Sequence, residues 1–418
     1  MASLGAVKLT LLTAPLTAYL GVLTVAGTVA DRRARRDAAA ATRTPTTRFA
    51  VLVPAHDEAG VIGHCVASLV ALDYPADLFT VHVVADNCTD TTAAEAGRAG
   101  ACVHERIDAD DPGKGAALNW LHDRVAAGDT PIDAYVVVDA DTRVEAGFLR
   151  AMDRAVADGA TVAQGFYDVH EAGESAAASL RAAALACRHH LRPLGRNLLG
   201  ASCGLFGNGM VFAAPVLDER RWSGHLTEDL EMQVDLLLDG QPVRYVPAAR
   251  LRAEMPDELD ASVTQHQRWE AGRVQVLKST FPRLVAGALR GRRGTRLAAL
   301  DAAFDVAVPP LSVLVAGQLA AGAAAVAAFV LGPGRFRRRL VLVNVAAAAV
   351  LAGHVVAGLR SVDAPASTYR ALTSAPRLVL WKVGLWVRVV GDDSTVAWTR
   401  TTRAVESEPV GAGGGGPA

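Results

Sequence analysis

Short β-rich runs alternate with alanine-rich stretches from about residue 48 to residue 165, and this alternation narrows the choice of fold more than any other feature. Strand–helix–strand order at this spacing predicts a parallel sheet with helices on both faces. Ligands of such sheets bind beyond the carboxyl ends of the strands, and the polar residues are concentrated there. The strand-like runs are RFAVLVPA, LFTVHVVAD, ACVHE, AYVVVDAD and ATVAQGF, and the helix-like ones are GVIGHCVASLVAL, TTAAEAGRA, KGAALNWLHDRVAA and AGFLRAMDRAVAD.

Residues 9–30 contain no charged side chain and are long enough to cross a bilayer. The sequence DRRARR follows directly, and four arginines after an apolar span favour a cytoplasmic location for the chain that comes next. A cleaved signal peptide is the alternative. However, the apolar run exceeds the usual core of roughly 7–15 residues, and most basic residues follow it. We therefore expect a retained membrane anchor over residues 1–31.

The carboxyl-terminal part is again apolar. Residues 311–331 and 340–359 are each about as long as a membrane span. The later segment APRLVLWKVGLWVRVVGDD mixes apolar and basic residues with two tryptophans, which is typical of a helix lying in the membrane interface. If both segments span the membrane and the central domain is cytoplasmic, the loop 332–339 faces outward. That loop contains four arginines, whereas basic residues are usually found in cytoplasmic loops. A re-entrant hairpin over residues 304–331 would avoid the conflict, but we favour two spans.

Overall charge and cysteine spacing exclude some classes of protein. The 42 basic and 43 acidic residues nearly balance, so nothing in the composition indicates a nucleic-acid partner. The five cysteines form no CxxC pair, which favours free thiols in a reducing compartment over a zinc site.

Acidic residues follow two of the predicted strands. Asp139 and Asp141, in VVVDADT, stand two apart at a strand end, where such carboxylates can bind a divalent cation that bridges a diphosphate. Asp86, in VVADNCTD, ends another strand and could bind a ribose or a base edge. A structural or solvated role is the alternative for each, and Asp90 is expected only to cap the next helix.

Two further segments carry candidate groups. Lys114, in DPGKGAALN, lies in a glycine-flanked turn before a helix, which suits a phosphate, although the pattern is not that of a kinase-like P-loop. Glu228 and Asp229 begin the helix of HLTEDLEMQ, where one carboxylate could act as a general base. A capping box, or for Lys114 a solvated loop, explains the same residues without a function.

Residues 264–272 read TQHQRWEAG, which places Gln265, Arg268 and Trp269 on one face of a helix. An Arg–Trp pair close to an apolar tail commonly anchors a chain at a membrane surface. The neighbouring His266 and Glu270 make this stretch rather polar for a face embedded in lipid.

Taken in their order along the chain, these motifs resemble those of the membrane-bound family 2 glycosyltransferases. That family includes cellulose, chitin, hyaluronan and poly-N-acetylglucosamine synthases. The resemblance covers roughly residues 45–280. It rests on the opening VPAHDEAG, Asp86, the DAD of residues 139–141, the TED of residues 227–229 and the QHQRW of residues 265–269, with GKGAALN, GLFGNGMVF and WTRTTR in support.

The resemblance implies an α/β fold of the GT-A type, a doubly wound mixed sheet with flanking transmembrane and interfacial helices. It implies transfer, with inversion, from a nucleoside diphosphate sugar, usually a UDP-sugar, to a glycan or lipid acceptor at the membrane. By the same resemblance, Pro54, Ala55, Glu58 and Asp86 would contact the nucleoside, and Asp139 and Asp141 would hold the diphosphate through Mg²⁺ or Mn²⁺. Asp229 would be the base, and Gln265, Arg268 and Trp269 would line the diphosphate and acceptor site.

Four segments are expected: a membrane anchor over residues 1–31, a cytoplasmic GT-A domain over 45–285, transmembrane and interfacial helices over 296–400, and a disordered tail over 404–418. The protein would then be a multi-pass protein of the plasma membrane. Asp57 stands where many relatives have asparagine. About three spans are few for one chain to enclose a polysaccharide channel, unless a homo-oligomer supplies more helices. The alternatives are a non-processive enzyme that glycosylates a lipid and, more remotely, an inactive membrane scaffold.

Overall fold

The computed structural model describes residues 2–37, 43–169, 176–223, 228–253 and 277–376, together with residues 379 and 384. Its strands are β1 (Phe49–Ala55), β2 (Phe79–Asp86), β3 (Cys102–Arg106), β4 (Ala134–Val137), β5 (Thr142–Val144), β6 (Val162–Val169), β7 (Met210–Ala213) and β8 (Val243–Ala253).

Helices account for most of the remaining described residues. They are α1 (Ala2–Asp37), α2 (Ala59–Val70), α3 (Thr92–Arg98), α4 (Lys114–Ala126), α5 (Phe148–Ala157), α6 (Ala176–Leu185), α7 (Arg192–Leu198), α8 (Ala214–Asp218), α9 (Glu228–Leu238), α10 (277–290), α11 (Arg293–Ala307), α12 (Leu311–Leu331), α13 (Arg335–Ser361) and α14 (Ala366–Ala371). A π-helix, Ala186–Leu191, joins α6 to α7.

The strands form one mixed sheet in the order β3-β2-β1-β4-β7-β6-β8-β5. The half made of β3, β2, β1 and β4 is parallel throughout, as the strand–helix alternation predicts. Strand β7 runs antiparallel to both β4 and β6, and β5 runs antiparallel to β8. The predicted mixed α/β sheet is therefore confirmed, and the antiparallel pairings all lie in its second half.

Helices cover both faces of the sheet because alternate strand residues point to opposite sides. On β1, Val51 and Val53 pack into the core beneath α2 and α5, whereas Ala50 and Leu52 pack into the core beneath α4 and α9. Two-sided burial explains why the central strands read as nearly continuous apolar runs.

Three helices, α1, α12 and α13, are long and apolar enough to cross a membrane. Residues 311–331 form one continuous helix rather than the two arms of a re-entrant hairpin. A buried polar chain joins the three helices: Gln318 donates to Asn344 at 2.8 Å, and Asn344 donates to Thr10 at 2.9 Å. Interhelical hydrogen bonds of this kind stabilise the packing of apolar helices.

Glycines allow α1 to pack closely against the π-helix and α7. A Cβ on Gly27 would lie 2.4 Å from the carbonyl oxygen of Leu191, and one on Gly195 would lie 2.5 Å from that of Leu23. Only glycine permits so close an approach of two backbones. Helix α7, and the sheet behind it, is therefore held directly against the predicted membrane anchor.

Candidate active site

The predicted donor-binding residues gather at one edge of the sheet. Strands β1, β2 and β4 are parallel neighbours, so their carboxyl ends bring Ala55, Asp86 and the Asp139–Asp141 segment to the same side. Glu58 immediately precedes α2, and its backbone N–H donates to Thr92 Oγ1 at 2.7 Å. That contact fixes the turn from β1 into α2.

Lys114 lies against Asp139. Its Nζ donates to Asp139 Oδ1 at 2.5 Å and to the carbonyl oxygen of Gly207 at 2.7 Å. Burial by itself would lower the pKa of Lys114, but the carboxylates of Asp139 and Glu228 raise it above its ordinary value. The ammonium group is therefore a fixed positive charge between the two candidate acidic sites.

Residues 207–209, with the sequence GNG, form the floor beneath this lysine. The fully buried Asn208 accepts from the backbone N–H of Asp139 at 3.1 Å and donates to Thr142 Oγ1 at 2.7 Å. Gly209 has a φ of +69°, and a Cβ there would lie 2.2 Å from a methyl carbon of Leu251, so the turn requires glycine. Asn208 thereby sets the direction of the DAD segment.

Glu228 and Asp229 stand at the first turn of α9 and face the same loop. An oxygen of Asp229 lies 3.5 Å from the position that a Cβ on Gly207 would occupy, as does Lys114 Nζ. Burial raises the pKa of Glu228 to about 7, with Lys114 opposing and Asp229 adding to the shift. Burial also raises the pKa of Asp229, against the opposing charge of Lys114. Because the pKa of Glu228 lies at about 7, this acid pair can hold and release a proton near neutral pH.

Asp86 forms a buried ion pair. Arg106, at the end of β3, donates to Asp86 Oδ1 at 2.7 Å, and both side chains are almost completely buried. The other terminal nitrogen of Arg106 contacts Asp108 at 3.0 Å and Asp111 at 3.3 Å, both more exposed. The strand end that carries Asp86 is thus held rigidly to its neighbour.

An aromatic stack borders the acids from the other side. Tyr167 stacks on His189 at 5.3 Å, and His189 stacks on Phe206 at 4.3 Å. Burial raises the pKa of Tyr167, and the charges of Asp141 and Asp139 raise it further. Burial lowers the pKa of His189 to about 3, so its ring is neutral. His189 lies in the π-helix, a feature often found at functional sites.

With the geometry of the site in place, comparison with known proteins assigns the family. The sequence model of the family described as "Glycosyltransferase like family 2" matches residues 45–272, more than half of the chain. The chain belongs to this family. This glycosyltransferase matches no curated protein.

Solved structures similar to the glycosyltransferase include the mannosyltransferase PcManGT from Pyrobaculum calidifontis in complex with GDP-Man and Mn²⁺, at 18% identity over 82% of this chain and 99% of that chain, TM-score 0.46. Glucosyl-3-phosphoglycerate synthase from Mycobacterium tuberculosis matches at 21% identity over 54% and 78%, TM-score 0.38. TarS from S. aureus in complex with UDP-GlcNAc matches at 14% identity over 74% and 91%, TM-score 0.38. At these TM-scores the similarity adds nothing to the family assignment.

The structure brings four of the predicted site residues to one turn and adds others. Lys114, Asp139, Glu228 and Asp229 lie around the Gly207 turn. Gln265, Arg268 and Trp269 lie outside the described residues, as do most of the interfacial segment and the tail. The sequence-based reasoning missed residues that support the acids. Arg106 ends a parallel strand, and the same strand-end argument that selected Asp86 would have selected it. The other missed residues are Asn208, Tyr167 and His189.

Proposed function

We propose that this glycosyltransferase is metal-dependent and inverting, and that it moves a sugar from a UDP-sugar to an acceptor at the membrane with formation of a β-linkage. The observation that carries the proposal is that Asp229 and the Lys114–Asp139 ion pair meet at the Gly207 turn, with Glu228 next to Asp229, in a chain of family 2. Asp139 and Asp229 both lie at this turn, which argues against an inactive scaffold.

The donor half of the proposed site lies at the ends of the parallel strands. Pro54, Ala55, Glu58 and Asp86 would contact the nucleoside. Asp139 and Asp141 would hold Mg²⁺ or Mn²⁺, since carboxylate oxygens are the ligands that these cations prefer, and the charges of both carboxylates raise the pKa of the nearby Tyr167. The metal would stabilise charge developing on the departing diphosphate, and the positive charge of Lys114 supports the same task.

The acceptor half is assigned to Asp229. Inversion by a single displacement requires a base on the face of the sugar opposite the leaving group. Asp229 is more exposed than its neighbour Glu228, so it is the carboxylate better able to meet an acceptor hydroxyl. Glu228 would then adjust the protonation of Asp229. Gln265, Arg268 and Trp269 would complete the wall of the cleft toward the membrane.

The proposed organisation keeps the anchor over residues 1–31, the GT-A domain over 45–285 and the membrane and interfacial helices over 296–400. The domain would face the cytoplasm of a multi-pass plasma-membrane protein. Three candidate spans are described, which favours the second candidate function, single transfer to a lipid, over extrusion of a polysaccharide by one chain. A homo-oligomer would be needed to supply further helices.

A donor panel tests the proposed function. Membranes containing the protein should transfer or hydrolyse sugar from at least one UDP-sugar, and only when Mg²⁺ or Mn²⁺ is present. Sizing the product then separates the two candidates, because one sugar on a lipid indicates single transfer and a ladder indicates polymerisation. Absence of UDP binding in the presence of either cation would refute the proposal.

The acid pair predicts a pH dependence. We expect kcat/KM to rise with pH, because only ionised Asp229 can accept a proton and the pKa of Asp229 is raised above its ordinary value. Glu228 beside it, whose pKa burial raises to about 7, titrates in the same range and is coupled to it. Glu228→Gln removes one of two like charges, so the ascending limb should move to lower pH. A pH profile of kcat/KM recorded from pH 5 to pH 9 for the wild type and for Glu228→Gln checks this. An ascending limb at the same pH in both proteins would show that it does not arise from the Glu228–Asp229 pair.

A further inference from the structure

The bundle formed by α1, α12 and α13 has a strongly basic end. Helix α12 ends at Leu331 and α13 begins at Arg335, and the connecting residues with the first turns of α13 read GPGRFRRR, residues 332–339. Three of the four arginines are exposed, and the guanidinium of Arg337 donates to the carbonyl oxygen of Gly332. We call this set the arginine cluster; its members are Arg335, Arg337, Arg338 and Arg339.

Contacts along the bundle place the arginine cluster at the end opposite the catalytic half. Leu340, next to the cluster, packs with Ala6 near the start of α1. At the other end, Arg35 of α1 pairs with Asp363, just after α13, at 2.9 Å. Helix α13 has 27 residues and is therefore roughly 40 Å long, which exceeds the roughly 30 Å of a bilayer's hydrocarbon core. The two ends of the bundle would thus emerge at opposite membrane surfaces.

The charge of the arginine cluster is not balanced by nearby acids. Within the ranges that the structure describes, no carboxylate pairs with any of its four arginines. The sequence explains this, because residues 1–30 and 306–362 contain neither aspartate nor glutamate. Lys8, two residues after Ala6, is exposed near the same end. Five basic side chains are therefore available here to an anionic ligand.

The arginines do not stabilise the helix that carries them. The first turn of a helix is electropositive, so basic side chains there are unfavourable, and the first turn of α13 contains no acidic residue. Arg335, Arg338 and Arg339 follow the i, i+3, i+4 spacing, so their like charges share one face and repel each other. Basic residues also disfavour placing a loop outside the cytoplasm. Bound anions would offset all three costs.

We propose that the arginine cluster binds the phosphate groups of anionic phospholipids in the leaflet opposite the catalytic half. Guanidinium groups suit phosphate because they offer paired donors in a plane. Phe336, between the arginines, is 62% exposed, and its apolar ring suits the acyl chains beneath such headgroups. The inference goes beyond the proposed sugar transfer and depends only on α12 and α13 being membrane spans.

The test compares an anionic with a zwitterionic lipid on the full chain in neutral detergent. Dioctanoyl phosphatidylglycerol and dioctanoyl phosphatidylcholine are titrated separately, and bound lipid is counted by native mass spectrometry. The wild type should prefer phosphatidylglycerol. The triple variant Arg335→Gln, Arg338→Gln and Arg339→Gln should bind it roughly tenfold to a hundredfold more weakly, since each basic residue near an anionic surface contributes about fivefold. Phosphatidylcholine binding should not change.

A second triple variant is the matched control for net charge. Arg98→Gln, Arg150→Gln and Arg283→Gln remove three exposed arginines of the catalytic half, each already paired with a carboxylate. This control should bind phosphatidylglycerol as the wild type does. An equal loss in both triple variants would overturn the proposal, because it would reflect net charge alone.

Two further results would also overturn the proposal. One is equal binding of the two lipids by the wild type, which would point to an acidic protein partner instead. The other is unchanged phosphatidylglycerol binding in the variant of the arginine cluster, which would place the lipid elsewhere. UDP binding in the presence of Mn²⁺ should be the same in all three proteins, which checks that the variants are folded. Its absence from the wild type would refute the transfer function and leave the lipid result standing.

Discussion

Asp229→Asn is expected to reduce sugar transfer by about 10²- to 10⁴-fold, the usual contribution of a general base, while the donor still binds. Asparagine keeps the size of the side chain and can still accept the backbone N–H of Leu230, which Asp229 Oδ1 accepts at 2.9 Å. It cannot take a proton from an acceptor hydroxyl. Loss of one negative charge beside Lys114 should not unfold the protein, because Asp139 still pairs with that lysine at 2.5 Å.

Asp235→Asn is the matched control for this experiment. Asp235 lies on the same helix, α9, but is exposed and pairs with Arg283 on α10. Transfer of radiolabelled sugar on membranes and UDP affinity should be measured for both variants. Full activity in Asp229→Asn would remove Asp229 from the role of base, and an equal loss in Asp235→Asn would show that α9 tolerates no change.

The strand-end rule explains how much of the site could be predicted from sequence. Asp86 and Asp139 each end an apolar run, and parallel neighbours place such ends at one edge whatever the details of packing. Lys114 and Asp229 lie at helix starts, which local signals also mark. These residues could therefore be selected from the sequence as candidate site residues, although the role assigned to each came from the resemblance to a family.

Their partners could not be predicted in the same way. The contact between Lys114 and Asp139 joins residues 25 positions apart, and Asn208 reaches Asp139 from 69 positions away. Such contacts cannot be predicted from the residues adjacent in sequence, since they depend on the order of strands in the sheet. The antiparallel strand β7 inserts between β4 and β6, and this brings the GNG turn beneath the acids.

Arg106→Met is expected to lower the free energy of unfolding by about 3–5 kcal/mol, because it leaves the carboxylate of Asp86 buried without its ionic partner. Asp86→Asn should lower the free energy of unfolding by less than Arg106→Met does. Arg106 would keep its contacts with Asp108 and Asp111, whose exposed side chains are stabilised by water in either case. Urea unfolding of the detergent-solubilised protein measures both values. A smaller loss in Arg106→Met than in Asp86→Asn would contradict the argument.

The double variant Asp86→Leu with Arg106→Met separates a structural role of Asp86 from a role in binding. Replacing a whole buried ion pair by apolar side chains is often neutral, so the double variant should be more stable than Arg106→Met alone. If Asp86 also contacts the nucleoside, as proposed, stability should recover while UDP affinity does not. Recovery of both would show that Asp86 serves only as the counterion of Arg106, and the nucleoside contacts would then fall to Pro54, Ala55 and Glu58.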